Sequence, residues 1–325
     1  MSAPNRRHAL QSIAAVAAAA LAAPLRAEGR TIRLLVGFPP GGGSDAIARV
    51  LAERLKDELG SAVIVDNRPG AGGQLAAQAL KAAPPDGTSF FLSHDHTISI
   101  LPLVMRQPGF DAAKDFAPVA GFARFANAIA LSAQTPARTL AEYLAWVKAA
   151  GGGKGAVGVP AAASVPEFLV RVVAGRSGVD LVAVPYRGSA PMMADMLGNQ
   201  IGAGVGSVPD FIENHRHGKL RVVAVMGSQR TAQMPEVPTL AEAGVPGFEE
   251  LPYYGVFAPA ATPRPMLDGF AAALARVLAQ PAVHDRLTNM GLSVGYLDAS
   301  QLAARERAYS ATWARIIRAS GFQPQ

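Results

Sequence analysis

One stretch near the N-terminus constrains the fold more than any other: residues 33–45, with the sequence RLLVGFPPGGGSD. It predicts a buried strand that ends at two prolines, a turn through three glycines, and a helix. Apolar residues recur at spacings of three and four after the turn, so we expect an amphipathic helix with its N-cap at Ser44 and its end at Gly60. A glycine turn at a helix N-terminus exposes main-chain N–H groups at the positive end of the helix dipole, and this arrangement suits an anion.

Two further turns of small residues follow predicted strands and precede predicted helices. They are residues 70–73 and residues 158–163, and the latter lead into Ser164-Val165-Pro166-Glu167, a capping-box pattern. In open α/β sheets, ligands bind where the carboxyl ends of strands meet helix N-termini, so we expect the three turns to face one cleft. The first turn lacks the lysine of a P-loop and the spacing of G-x-G-x-x-G, and a tight turn without a ligand is the alternative interpretation.

Predicted strands and helices alternate along the chain, which favours an α/β protein with parallel sheets and helices on both faces. Half of the 325 residues are hydrophobic and only 17% are charged, so the composition argues against disorder. The predicted strands are residues 32–36, 62–65, 89–92, 116–120, 128–131, 156–159, 181–184, 202–205, 220–225 and 254–258. The predicted helices are residues 45–59, 73–82, 140–149, 165–174, 191–197, 209–214, 265–278, 282–290 and 300–319.

The N-terminus has the features of an export signal. Arg6 and Arg7 precede an apolar stretch over residues 13–23, and the small residue Ala27 marks a cleavage point, so we expect residues 1–27 to be a signal peptide. The apolar stretch is shorter than the roughly 20 residues of a membrane-spanning helix. We therefore expect export to the periplasm by the Sec route or the twin-arginine route. A misplaced start in a cytoplasmic protein is the alternative.

Charge and composition argue against several classes of function. Removal of the three arginines of the leader leaves a net charge of +3, and no run of lysine or arginine of the nucleic-acid-binding type remains. The chain has no cysteine, and no serine lies in a G-x-S-x-G motif. We expect a monomer with no cofactor, no bound metal and no nucleic-acid partner.

Two short polar segments at strand ends are candidates for ligand contact. His94 and His96 are spaced so that they can ligate zinc, but no third ligand is evident nearby, so we favour hydrogen bonding to a polar ligand or a neighbouring loop. Tyr186 and Arg187 follow another predicted strand, where a guanidinium can lie near an anion. A surface arginine at a strand end is the alternative for Arg187.

Several motifs, in order along the chain, resemble the Bug family of extracytoplasmic solute receptors, the periplasmic binding components of tripartite tricarboxylate transporters. The resemblance begins with FPPGGGSD at residues 38–45, followed by Ala48-Arg49, and covers essentially the whole chain after the leader. The other matching motifs are DNRPGAGG (66–73), KDFAPV (114–119), VPYRG (184–188), GKLR (218–221), PEVPTLAEAG (235–244) and FAPAATP (257–263).

The resemblance implies a fold and a domain organisation. The fold would be the α/β type II periplasmic-binding-protein fold, in which two α/β lobes are joined by two crossing strands and close over a ligand. Residues 28–128 and 254–325 would form the first lobe, and residues 129–253 would form the second lobe. The crossings would lie near residues 127–131 and residues 251–254.

The resemblance also implies a function: a non-enzymatic receptor for a small organic acid, held largely by main-chain N–H groups. Such a receptor delivers its ligand to a two-component membrane permease or reports it to a membrane sensor. The runner-up interpretation is an exported enzyme that acts on a small carboxylic acid or ester. The predicted ligand-binding residues in the first lobe are Phe38, Gly41, Gly42, Gly43, Ser44, Ala71, Gly72, His94 and His96. Those in the second lobe are Pro160, Ala162, Ala163, Ser164, Tyr186 and Arg187.

The sequence departs from the family pattern at two places. Residues 159–165, VPAAASV, stand where the family commonly has Ser-Pro-Gly-x-Gly-Ser and a histidine, so we expect fewer side-chain contacts and a more apolar ligand end. The family often carries an acid after a Gly-Gln-x segment, but residues 200–203, QIGA, have none. We hypothesise that His94 and His96 take its place and favour a polar distal group.

Overall fold

The computed structural model describes residues 30–150, 152–319 and 321–325, and the predicted signal peptide lies outside them. A six-stranded sheet contains strands from both ends of this chain. They are β1 (Ile32–Val36), β2 (Val63–Asn67), β3 (Ser89–His94), β4 (Phe116–Phe125), β10 (Tyr253–Pro259) and β11 (Leu292–Leu297). Their order across the sheet is β11-β4-β10-β3-β1-β2. We call this sheet with the helices packed on it the first lobe.

A five-stranded sheet is formed by the middle of the chain. Its strands are β5 (Asn127–Ser132), β6 (Lys154–Val159), β7 (Asp180–Pro185), β8 (Ala203–Ser207) and β9 (Leu220–Val225). Their order across the sheet is β7-β6-β8-β5-β9. We call this sheet with its helices the second lobe. The chain passes from one sheet to the other at Ala126 and returns between β9 and β10. The lobe boundaries after residues 128 and 253 stay predictions.

The expectation of parallel sheets is wrong in part, because both sheets are mixed. The pairs β1–β2, β1–β3, β6–β7 and β6–β8 are parallel. In contrast, β10 runs antiparallel to β3 and β4, and β5 runs antiparallel to β8 and β9. Strand β11 also runs antiparallel to β4. The strands β10 and β5 are those through which the chain enters each sheet from the other one. A helix crossover within one sheet holds neighbouring strands parallel, and these two strands have no such constraint.

The helices flank the two sheets, and each predicted strand and helix corresponds to an observed one, although several ends differ. The helices are α1 (Gly43–Leu59), α2 (Gln74–Lys81), α3 (Leu101–Val104), α4 (Ala112–Asp115), α5 (Leu140–Ala150), α6 (Val165–Ser177), α7 (Ser189–Leu197), α8 (Val208–Arg216), α9 (Arg264–Ala279), α10 (Pro281–Asn289) and α11 (Ala299–Ala319). A 3₁₀ turn at Ala71–Gly73 precedes α2, and a π-helical turn at His96–Ile100 precedes α3. The sequence analysis missed this π turn, α3, α4 and β11.

Adjacent residues of the first sheet face different parts of the core, as the two-residue period of a strand requires. Leu34 packs in a cluster with α1 and α9, whereas Leu35 belongs to a cluster that continues into the second lobe. The C-terminal helix α11 joins this second cluster through Trp313, whose ring lies 6.2 Å from that of Phe168 in α6. The core therefore extends from one sheet to the other beside the crossings.

The ends of α1 differ in how well the sequence predicts them. Gly60 ends the helix in the left-handed conformation, with a φ of 61°, as predicted. The predicted N-cap at Ser44 is wrong: the N-cap is Gly42, and the helix begins at Gly43. The Ser44 hydroxyl instead lies 3.0 Å from that of Tyr254 in β10, so a tertiary contact outweighs the local capping preference.

No single helix among the described residues is long and apolar enough to cross a membrane. Helices α9 and α10 together meet the criteria of length and composition as a pair bent by 78°. In this fold, however, the apolar residues of α9 pack against the first sheet.

We expect the packing of α9 on the first sheet to be a major source of stability. The rings of Phe90 and Phe270 stack with centroids 3.9 Å apart, and both side chains are buried. Phe270→Ala should lower the free energy of unfolding by about 3–5 kcal/mol, measured by urea denaturation, because it removes apolar contact and leaves a cavity. Met266→Ala on the exposed face of the same helix is the control and should change it by less than about 0.5 kcal/mol. Equal effects of the two substitutions would contradict this assignment of the core.

Candidate functional site

Two neighbouring cavities lie between the lobes. The inner cavity has about 500 Å³ of empty volume, and most of its lining residues are buried. It is lined by Phe38, Ser44, His94, Asp95, His96, Phe125, Asn127, Pro160, Ala161, Ser164, Val165, Pro166, Ser189, Ser207, Asp210 and Tyr254. The outer cavity has about 980 Å³ of empty volume. It is lined by Gly37, Phe38, Gly70, Ala71, Gly72, His96, Leu101, Val104, Met105, Pro160, Ala162, Ala163, Pro185, Tyr186, Arg187, Gly188 and Gln325.

Most of the residues predicted from the sequence line one of these cavities. Phe38, His96 and Pro160 line both and form the wall between them. Ser44, His94 and Ser164 line the inner cavity alone. The outer cavity alone is lined by Ala71, Gly72, Ala162, Ala163, Tyr186 and Arg187. Gly41, Gly42 and Gly43 line neither cavity.

The three glycines lie where the two lobes meet, and carboxylates of the protein accept two of their N–H groups. The Gly41 N–H donates to Asp45 at 3.0 Å. The Gly43 N–H, at the start of α1, donates to Oδ1 of Asp210 in the second lobe at 2.8 Å. A carboxylate at a helix N-terminus is favoured by the helix dipole, so Asp210 occupies the position at α1 that suits an anion.

Asp210 accepts three further hydrogen bonds within the second lobe. The Ser189 hydroxyl donates to Oδ1 at 2.6 Å, and the N–H and hydroxyl of Ser207 donate to Oδ2 at 3.2 and 2.5 Å. The Ser207 contacts form a capping box at the start of α8, which the Ser-x-Pro-acid pattern at residues 207–210 signals. The sequence gives no signal for the contact with Gly43, 167 positions away in the chain.

The first glycine turn is fixed by a polar network beneath it. Asp45 accepts hydrogen bonds from Arg49 Nε at 2.9 Å and from Asn67 Nδ2 at 3.0 Å, and Asn67 also donates to the carbonyl of Phe38. Burial alone would raise the pKa of Asp45, but the hydrogen bonds from Arg49, Gly41 and Asn67 lower it below its usual value. Residues from two motifs, residues 38–45 and residues 66–73, therefore fix the first glycine turn together.

The second-lobe turn is closed by the predicted cap at Ser164. Its hydroxyl accepts the Glu167 N–H at 3.4 Å and donates to the Ala161 carbonyl at 2.7 Å. The Glu167 carboxylate accepts the Ala163 N–H at 2.7 Å. Ala163 has a φ of 50° and Ala71 has a φ of 46°, so each lobe places an alanine in the left-handed region beside the outer cavity. This conformation is uncommon for residues other than glycine.

The two histidines have different surroundings. The His94 ring stacks on Phe38 with centroids 4.9 Å apart, and its Nδ1 lies 3.2 Å from Asp95. His96 is only 5% exposed, and its Nδ1 has no hydrogen-bond partner within the described chain. Burial, together with the charge of His94, lowers the pKa of His96 to about 4. The described residues contain no group of three side chains that could hold a metal ion.

The remaining polar side chains show which chemistry the cavities can perform. The four serine hydroxyls of the inner cavity bond to Tyr254, to a carbonyl or to Asp210, rather than to a histidine. The Tyr186 hydroxyl donates to Asp195 at 2.7 Å, and burial and this bond raise its pKa to about 12. Arg187 is exposed at the outer cavity and makes no ion pair with any described residue. This geometry is suited to holding a ligand.

Comparison with known proteins agrees with this geometry. The family model described as tripartite tricarboxylate transporter family receptor matches residues 47–322. The chain belongs to this family. The receptor is 33% identical to the protein BugT of Bordetella pertussis over 255 residues, which are 76% of this chain and 77% of BugT. The sequence resemblance to the Bug receptors is thereby confirmed.

Solved structures of similar proteins have the same fold as this receptor. The periplasmic binding protein BugD matches it with a TM-score of 0.85 and 28% identity, over 91% of this chain and 99% of BugD. The Rpa4515 protein of R. palustris with adipate matches it with a TM-score of 0.86 and 29% identity, over 92% of this chain and 99% of that protein. The predicted periplasmic-binding-protein fold is confirmed.

The depressed pKa of His96 predicts a loss of stability in acid. The unfolded chain takes up this proton near the ordinary pKa of 6.5, whereas the folded protein takes it up near 4. The contribution of neutral His96 to the free energy of unfolding is therefore complete above pH 6.5 and is lost as the pH falls to about 4. This contribution is about 3 kcal/mol at most. Urea denaturation across this range should show that His96→Gln loses less stability than the wild type. His217→Gln, at an exposed site, is the control and should follow the wild type. An unchanged pH dependence in His96→Gln would contradict the prediction.

Proposed function

We propose that this chain is a periplasmic receptor for a small organic acid and that its two lobes close around the acid. The lobes would be residues 28–128 with 254–325 and residues 129–253. The receptor would deliver the acid to a two-component membrane permease or present it to a membrane sensor. Family membership supports a role in transport. The similarity to the periplasmic binding protein BugD supports a periplasmic location, and the similarity to the adipate-bound protein supports an acid ligand.

One observation carries this proposal: turns from both lobes bring unused hydrogen-bond donors to the outer cavity. Within the part of the chain that the structure describes, the N–H groups of Ala71, Gly72 and Ala162 donate no hydrogen bond. Arg187 lines the same cavity. Main-chain N–H groups and a guanidinium are the groups that bind a carboxylate.

The number of donors is sufficient for useful affinity. A hydrogen bond to a charged group contributes about 1.5–3 kcal/mol. Micromolar binding corresponds to about −8 kcal/mol, so several such bonds, less the cost of closing the lobes, reach this range. Closure would also remove the carboxylate from bulk water and strengthen each bond.

Mass spectrometry of the acid that co-purifies with the receptor, followed by thermal-shift screening of mono-, di- and tricarboxylates, tests the proposal. We expect a saturable rise in melting temperature with at least one acid, because a ligand that binds only the folded state stabilises it. Turnover of the bound acid would support the enzyme alternative instead. A melting temperature unaffected by every acid, with no acid co-purifying, would contradict the proposal.

A substitution at the meeting point of the lobes should separate binding from folding. Gly42 has an ordinary φ of −85°, but a Cβ there would lie 3.0 Å from the Ser189 hydroxyl of the other lobe. Gly42→Val should leave the fold soluble and abolish the thermal shift given by the acid, because the larger side chain holds the lobes apart. Gly295→Val is the control, since a Cβ at Gly295 meets no atom within 4 Å. A full thermal shift in Gly42→Val would show that binding does not need this contact.

A further inference from the structure

The described residues that line the inner cavity include two aspartates and no side chain that is permanently positive. Two carboxylates, those of Asp95 and Asp210, belong to residues that line it, and no lysine or arginine is among its lining residues. Within the described residues, the donors to Asp210 are all uncharged: the N–H groups of Gly43 and Ser207 and the hydroxyls of Ser189 and Ser207. These bonds and the N-terminus of α1 stabilise its charge, but no cationic side chain pairs with it among the described residues.

The histidines of the cavity do not reverse this balance. His96 is buried and its pKa is lowered to about 4, so it is neutral near pH 7. The His94 Nδ1 lies 3.2 Å from Asp95, whereas no histidine is among the hydrogen-bond partners of Asp210 within the described chain. The Tyr309 hydroxyl, the other partner of Asp95, donates a neutral hydrogen bond at 2.9 Å.

The charges of both carboxylates act on Tyr254, which lines the inner cavity. The pKa of Tyr254 is raised, first by burial and then by the charge of Asp210, with a smaller contribution from Asp95. The rest of the wall near Tyr254 is aromatic, with the Phe125 ring 4.8 Å and the His94 ring 5.4 Å from that of Tyr254. Such a wall suits an apolar or uncharged polar group, and it opposes a second anion.

The outer cavity has the opposite character. Arg187 lies at its edge, and the unused N–H groups of Gly72 and Ala162 belong to its two turns. Phe38, His96 and Pro160, which line both cavities, are the residues past which a ligand would extend from one cavity into the other. His96 also brings a buried Nδ1 without a partner to this wall.

From this separation of charge we infer that the receptor selects monocarboxylates, with the acid group in the outer cavity and an uncharged or hydrogen-bond-donating end in the inner cavity. The inference rests on the proposed function and narrows its ligand class. A dicarboxylate of the same length would place its second anion beside Asp210 with no cation to balance it. The adipate-bound relative therefore does not predict the ligand class of this receptor.

Isothermal titration calorimetry near pH 7 with matched acids tests the inference. The probes are hexanoate, adipate and monomethyl adipate, together with the shorter set of butyrate, succinate and monomethyl succinate. We expect the better of the monoanions to bind at least about tenfold more tightly than the dianion of the same length. The monomethyl esters decide whether charge or length is responsible, because they nearly keep the length of the dianion and remove one charge.

The outcomes separate the inference from the proposed function. Equal or tighter binding of adipate or succinate would overturn the inference and leave the carboxylate receptor intact. Failure of all six probes and of every acid in the thermal-shift screen, with no co-purifying acid, would overturn both. If a dicarboxylate is the acid that co-purifies, the inference is also wrong.

Two variants test the role of charge inside the cavity. Asp95→Asn removes one carboxylate and keeps a side chain of the same shape, so the preference for the monoester over the dianion should fall to about threefold or less. Tyr309→Phe is the matched control, because it removes the hydrogen bond to Asp95 and keeps the charge, and the preference should persist. An unchanged preference in Asp95→Asn would exclude a role for its charge. If this variant does not fold, the wild-type comparison of esters and dianions decides alone.

Discussion

The hydrogen bond between the Gly43 N–H and the Asp210 carboxylate is the interaction on which the arrangement of the two lobes depends. It joins the positive end of α1 in the first lobe to the capped start of α8 in the second. The contact requires residues without bulky side chains: a Cβ at Gly43 would lie 2.9 Å from Asp210, and a Cβ at Gly188 would lie 2.5 Å from Pro39. Glycine at these positions therefore serves the approach of the lobes as well as the shape of each turn.

The same bond determines where a ligand can find donors. Glycine turns at helix N-termini suit anions, but the protein's own acids Asp45, Asp210 and Glu167 accept the N–H groups of Gly41, Gly43 and Ala163. At the outer cavity, the N–H groups of Ala71, Gly72 and Ala162 have no hydrogen-bond partner among the residues that the structure describes. Asp95 and Asp210 line the inner cavity, whereas Arg187 lines the outer one, so the two ends of a ligand would meet different charges.

Local features of this fold could be predicted from the sequence, and long-range ones could not. The helix end at Gly60 and the cap at Ser164 depend on neighbouring residues and are confirmed. The cap at Ser44 was wrong because Tyr254, 210 positions away, contacts its hydroxyl. Strand β11 was missed because it is a short edge strand in which only Leu292 is buried, so it gives a weak hydrophobic signal. Most of the residues predicted to bind a ligand line the cavities, but the long-range contacts of Asp95 and Asp210 were found only from the packed structure.

The C-terminal segment has a practical consequence for experiments on this receptor. The Gln325 N–H donates to the Val104 carbonyl at 3.0 Å, and the main-chain oxygen of Gln325 accepts the Arg106 N–H at 2.7 Å. Gln325 also lines the outer cavity. Phe322 lies against Phe168 of the second lobe, with ring centroids 5.5 Å apart. Residues fused after Gln325, such as an affinity tag, would therefore begin at the edge of the outer cavity, so ligand binding is best measured after such a tag has been removed.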